Sequence, residues 1–191
     1  ISQRVSNNFW SPINTGILFW LVSIFIYIIY IMSMRIKSNY LIYNGNKYKC
    51  SIGNGGFSLK KKEGDGCTPV GVFKITDIFY RGDKIKKLST NYDLKKILPS
   101  DGWCDDPNHK LYNTKIEFPF SSSAEQLFRQ DDLYDIVCVT NHNQNPIIPG
   151  AGSAIFIHIA SPEYSATEGC VALNQKDLAA ILLTLTESTK I

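Results

Sequence analysis

Polar and apolar positions divide the chain into two unlike stretches. Residues 9–34 carry no charge, and residues 16–34 read GILFWLVSIFIYIIYIMSM, apolar on every helical face. As a helix this run rises roughly 28 Å, close to a hydrocarbon core of about 30 Å. Trp10, Trp20, Tyr27 and Tyr30 supply amphipathic rings suited to the interfaces. The pattern predicts an N-terminal membrane anchor over residues 1–38, with its helix at about 16–34, ahead of a folded domain over 39–191. Arg4 precedes the run, whereas Arg35, Lys37, Lys47 and Lys49 follow it. By itself that distribution places the C-terminal side in the cytoplasm. A start at Met32 or Met34 would remove the spanning segment and leave a cytoplasmic domain.

Beyond residue 39 the period shortens to two. Asn44-Gly45 separates the β-prone runs 40–43 and 47–52, the strongest short hairpin signal. Residues 70–80 (VGVFKITDIFY), 134–140 (YDIVCVT) and 153–160 (SAIFIHIA) read as strands, with Pro69 at the start of the first. Residues 53–66, rich in Gly and Lys without a period, read as a loop. Helical patterning is confined to residues 123–130, capped by Ser122 or Ser123, and to residues 175–188. In the latter Leu178, Ile181, Leu182 and Leu185 fall on one face, Asn174 is the N-cap, and Asp177 lies near the start. The expected class is mostly β with mixed strands and short accessory helices.

Composition narrows the function. In 191 residues, 44% hydrophobic and 19% charged, the chain has the makings of a packed core. A formal net charge of +3, evenly spread, is too mild for a nucleic-acid footprint. Five cysteines without a CxxC pair suggest neither a disulfide scaffold nor a zinc site. Cys50, Cys67, Cys104 and Cys138 remain free to pair in an oxidising compartment. Asp101, Cys104, Asp105, Asp106 and His109 cluster in sequence, but the interleaved Gly, Pro and Asn mark turn-forming carboxylates rather than metal ligands.

Chemistry concentrates in residues 155–173, IFIHIASPEYSATEGCVAL. His158 stands on a predicted strand, and Cys170 follows a Thr-Glu-Gly turn. A thiol attacks as thiolate, so an imidazole within hydrogen-bond reach would activate it. Gly169 permits close approach and unusual dihedrals, and amides around Cys170 would face an oxyanion. Taken alone, His158 between two isoleucines reads more readily as a satisfied core residue. Cys138, between Val137 and Val139, reads as packing.

Thr167-Glu168-Gly169-Cys170-Val171, preceded by a strand histidine, resembles the signature of YkuD-type L,D-transpeptidases. Lys62-Glu63-Gly64-Asp65-Gly66, Thr68-Pro69-Val70-Gly71, Asp101-Gly102-Trp103, Asp105-Asp106, Tyr112-Asn113, Ser123-Ala124-Glu125 and residues 152–158 (GSAIFIH) are similar to landmarks of one bacterial branch. The likeness covers about residues 40–186. It implies a YkuD-like β-sandwich acting without metal or organic cofactor on peptidoglycan stem peptides, in cell-wall biosynthesis and cell shape. The domain would face the periplasm from the inner membrane.

In that chemistry Cys170 forms a thioester with a stem peptide, D-alanine departs, and an amine of a second stem completes a 3→3 cross-link. His158 is the acid–base, oriented by a backbone carbonyl, and Gly169 belongs to the catalytic turn. Thr167 and Arg129 are the expected substrate contacts; Arg81 and Lys61 are further cations suited to carboxylates or to surface ion pairs. Two positions depart from the common form: Glu168 stands where it has His, and Ala172 where it has Arg. Hydrolysis by an L,D-carboxypeptidase or amidase, or silent wall binding, therefore stays open. The sequence assigns Cys67 no role and leaves the oligomeric state open.

Overall fold

The computed structural model describes residues 18–24, 26 and 33–191. Among them the strands are β1 (Arg35–Lys37), β2 (Tyr40–Tyr43), β3 (Asn46–Ser51), β4 (Phe57–Ser58), β5 (Thr68–Pro69), β6 (Ile75–Tyr80) and β7 (Leu94–Lys96). They continue with β8 (Asp101–Cys104), β9 (Lys115–Glu117), β10 (Ala124–Gln126), β11 (Ile136–Thr140), β12 (Phe156–Ile159) and β13 (Val171–Leu173), and a C-terminal helix spans Gln175–Thr184. The mostly-β class with mixed sheets is as expected.

Eight strands form one sheet in the order β1-β2-β3-β13-β12-β11-β6-β7. Its pairs are antiparallel except β12–β13 and β6–β7. The β2–β3 hairpin turns on Asn44 and Gly45, both at positive φ (48° and 75°) as a type I′ turn requires. Strand alternation then sorts the side chains. Ile136, Cys138, Ile157, Ile159, Val171 and Leu173 point to one face, where Leu178, Ile181 and Leu182 of the helix and Leu185 just beyond it pack on them. Val137, Val139 and Phe156 point to the other, toward Trp103 and Tyr134. A three-stranded sheet, β10-β8-β9, supplies Trp103, whose ring meets Phe156 edge-on at 5.2 Å. His158 lies two residues from Phe156 and so shares that second face.

Several boundaries differ from expectation. Residues 123–130 form no helix: Ala124–Gln126 is a strand, with Glu125 opposite Trp103 in β8. A partner strand overrides the weak helical preference of an Ala-Glu-Gln run. The strand expected from residue 70 begins at Ile75, Thr68–Pro69 pairs in parallel with Phe57–Ser58, and Val70 and Val72 are exposed. Residues 153–155 stay outside β12, since Gly152 and Ala154 take positive φ of 95° and 52°. The C-terminal helix begins under the Asn174 cap, whose side chain accepts from the Lys176 N–H, with Asp177 in its first turn. It stops at Thr184, because Leu185 turns extended to bury its side chain.

The sheet also takes in Arg35–Lys37, upstream of the expected start at residue 39, by antiparallel pairing with Tyr40–Ile42. The expected membrane helix lies largely outside the described residues. Residues 18–24 and 26 are helical, and among the described residues no helix is long and apolar enough to cross a membrane.

Candidate active site

The parallel pairing of β12 with β13 sets the geometry. Residues 160–170 return the chain so that Ile157 faces Val171 and His158 faces Ala172. Cys170 therefore enters the sheet beside Phe156, whose backbone N–H donates to its Sγ at 3.3 Å. His158 stands one pleat further on, about 7 Å along the strand. Both line a cleft of about 500 Å³ together with Tyr134, Glu125, Arg129 and Glu168.

Each side chain is held by backbone. His158 Nδ1 lies 2.9 Å from the Ile159 carbonyl oxygen. A carbonyl only accepts, so Nδ1 carries the proton and Nε2 keeps its lone pair, the tautomer a general base needs. The expected backbone orienter is thus present. The Tyr134 ring stands edge-on to the imidazole at 5.1 Å, and its hydroxyl donates to Glu125 Oε1 at 2.5 Å.

The expected hydrogen bond between thiol and imidazole is not formed. Cys170 Sγ instead donates to the Ala154 carbonyl at 3.1 Å. Burial, followed by the nearby Glu125 carboxylate, pushes this thiol up to about 12, and burial pushes His158 down to about 4. The two groups rest neutral, not as an ion pair, because a low-dielectric wall disfavours both charges.

The Thr167–Cys170 turn is built from within and braced from outside. Thr167 Oγ1 donates to the Cys170 carbonyl at 2.6 Å and accepts from the Gly169 N–H at 3.2 Å. Thr167 lines the cleft, but its hydroxyl is taken up by this turn, and so is one amide expected to face an oxyanion. Gly169 has φ +133°, and a Cβ there would lie 2.8 Å from the Cys67 carbonyl. That contact belongs to the segment 52–68, which also joins the turn through Asn54 N–H to Thr167 O (2.8 Å) and Thr167 N–H to Ile52 O (3.0 Å). Cys67 thus packs its backbone beneath the turn, while its thiol turns away to the Gly55 carbonyl at 3.3 Å.

A second brace holds the acceptor of the thiol. Asn113, buried at φ 56°, takes the Trp103 Nε1–H (3.0 Å) and the Ala154 N–H (3.1 Å) on Oδ1. Its amide donates to the carbonyls of His142 (3.1 Å) and Asn143 (2.8 Å). Glu63 Oε2 binds the hydroxyls of Tyr112 and, at 2.7 Å, Ser153. The sequence marks Glu63, Tyr112, Asn113 and Glu125 as landmarks without indicating these contacts. Tyr134 carries no sequence signal beyond its place before a strand.

The remaining candidates separate cleanly. Arg129 lines the cleft but grips Asp131 through Nε (2.9 Å) and Nη2 (2.6 Å). Arg81 is buried on Asp83 and the Phe128 ring, and Lys61 pairs with Asp65 at 2.5 Å; neither lines the cleft. Asp106 accepts from Asn108 N–H (2.8 Å) and Ser122, and Asp101 from Leu98 N–H (2.9 Å) and Lys115. Among the described residues no group of His, Cys, Asp and Glu is arranged to hold a metal ion. All five cysteines are free, and Cys138 is fully buried.

Comparison with protein families gives a match to the model of the YkuD L,D-transpeptidase catalytic domain over residues 30–191. The chain belongs to that family. The match takes in the whole eight-stranded sheet, and with it both walls of the cleft around Cys170 and His158. A search of curated proteins finds no match. Within this L,D-transpeptidase family domain, Glu168 and Ala172 line the cleft at the two positions that depart from the common form.

Proposed function

We propose that the domain is a cysteine acyltransferase acting on peptidoglycan stem peptides, with Cys170 as nucleophile and His158 as acid–base. The observation that carries this reading is the shared sheet face: a thiol and an imidazole with its Nδ1 fixed on a carbonyl open into one peptide-sized cleft. The thiol proton passes to His158 Nε2 as sulfur bonds to the carbonyl carbon preceding the terminal D-alanine. The amide C–N bond breaks, His158 returns the proton to the departing amine, and a thioester remains. An amine of a second stem then attacks the thioester carbon, losing its proton to His158, and the thiol leaves. The Cys170 N–H meets the oxyanion.

Because both groups rest neutral, substrate must first draw Sγ away from the Ala154 carbonyl toward His158. Filling the cleft removes water and brings the scissile carbonyl to the sulfur, so ionisation and attack coincide.

Hydrolysis is the second reading, supported by Glu168 and Ala172 at the departing positions. Incubation of the domain with disaccharide-tetrapeptide separates the two. Cross-linked dimers support transfer and 3→3 linkage, tripeptide monomer alone supports hydrolysis, and unchanged substrate contradicts both. The apolar run at residues 16–34 supports an anchored enzyme; a periplasmic domain follows from the proposed substrate, against the basic residues downstream of the run, and protease accessibility in spheroplasts tests that placement.

A further inference from the structure

The charge lining the cleft is one-sided. Among the described residues Glu63, Asp105, Glu125 and Glu168 line it, against a single guanidinium, that of Arg129. Arg129 already gives Nε and Nη2 to Asp131, and Ala172 brings no cation where the common form has arginine. Of the four acids Glu63 is occupied by Tyr112 and Ser153, and Glu125 is bonded through one oxygen to Tyr134. Glu168 is exposed beside the nucleophile turn. Asp105 Oδ1 is shut off from solvent and has no hydrogen-bond partner among the described residues. A buried carboxylate oxygen without a donor is costly unless a ligand supplies one.

We propose that this cleft selects acyl donors whose third residue carries a protonated amine and no free carboxylate, read by Glu168, Asp105 and Glu125. The substrate class is a stem peptide with a basic third residue, or a diamino acid whose own carboxylate is amidated. Among the described residues Arg129 is the one cation lining the cleft, and its Nη1, not given to Asp131, leaves one place for a carboxylate, that of the departing D-alanine. The ammonium also serves the chemistry. After burial, Glu125 and then Glu168 oppose ionisation of Cys170 while Lys61 favours it, so a further cation seated between the two acids and the sulfur adds to the thiolate when substrate is bound. Burial holds Glu125 above the ordinary carboxylate range, and the same cation favours its ionised form.

This inference rests on the acyl-enzyme reading, and the test separates the two. Purified domain is mixed with the tetrapeptide L-Ala-γ-D-Glu-L-Lys-D-Ala, its Nε-acetyl-lysine counterpart, or the meso-diaminopimelate peptide with and without an amidated side-chain carboxylate. The rate of Cys170 acylation is read by intact mass. The free-amine lysine peptide should react about tenfold faster than its acetylated partner at low salt. The diaminopimelate amide should outrun the free acid, and added salt should shrink both ratios. Glu168→Gln, an exposed site that does not threaten folding, and Asp105→Asn should each lower the lysine-to-acetyl-lysine ratio. Equal rates in the wild type, or a ratio unmoved by both substitutions, overturn the inference alone. Acylation by none of the four peptides overturns the acyltransferase reading and this inference with it.

Discussion

Replacing His158 with Gln isolates the consequence of burying an imidazole neutral. Burial lowers this group from an ordinary 6.5 to about 4, against the carbonyls of Ile159 and Leu133, which favour its charged form. Between those values the unfolded chain binds a proton that the folded protein refuses, so stability falls as pH drops through the window from 6.5 to about 4. At about 1.4 kcal/mol per pH unit the interval corresponds to about 3 kcal/mol lost from one residue. Urea unfolding of the wild type and His158→Gln at pH 7, 5.5 and 4.5 measures it. Carboxylates titrate alike in both proteins, so the difference between the two pH profiles reports His158. Between pH 7 and 4.5 the variant should lose about 2 kcal/mol less than the wild type, the rest of the window lying below that range. Parallel profiles would show that the imidazole is charged or solvated in the folded protein, and the neutral-base mechanism would fall with that result.

Four further outcomes follow from the same geometry. Iodoacetamide should alkylate Cys170 slowly at pH 7 and at a rate still climbing at pH 10, since burial pushes the thiol to about 12; a plateau near pH 7 would mean a preformed ion pair. Gly169→Ala should destabilise by about 2–4 kcal/mol, because the new Cβ meets the Cys67 carbonyl at 2.8 Å in a backbone region that favours glycine. A loss under about 1 kcal/mol in urea would refute that close approach. Asn113→Ala leaves the Trp103 Nε1–H and Ala154 N–H without their acceptor and should cost about 2–5 kcal/mol, with faster alkylation of Cys170 as Ala154 loosens. Cys67→Ser should keep its turnover, since the side chain contacts the Gly55 and Asp65 carbonyls and not the cleft; loss of activity would place the thiol in the reaction.

What the sequence made legible was local. Asn44-Gly45 specifies its turn through backbone freedom at two adjacent residues, and Asn174 caps its helix within two residues. Alternation in residues 136–140 and 156–159 separates two faces, which already puts His158 beside Phe156 rather than Ile157. Long-range facts were hidden. Glu125 reads as helical until its segment pairs with Trp103, and only that pairing, with Tyr134 arriving from a distant part of the chain, makes it a wall of the cleft. Asn113 looks like any turn asparagine, yet it bonds residues on three separate segments. The resting state of the catalytic pair was hidden for the same reason. The family resemblance pairs Cys170 with His158, but burial and the competing Ala154 carbonyl are properties of the assembled fold.

The central claim is that Cys170 captures a stem peptide as a thioester. Intact-mass measurement with peptide mapping, after brief exposure to tetrapeptide and an acid quench, tests it most directly. One tripeptidyl adduct on Cys170, absent from Cys170→Ala and strongly reduced in His158→Gln, is the predicted result. An unmodified Cys170 under conditions that release D-alanine, or an adduct on another residue, would contradict it.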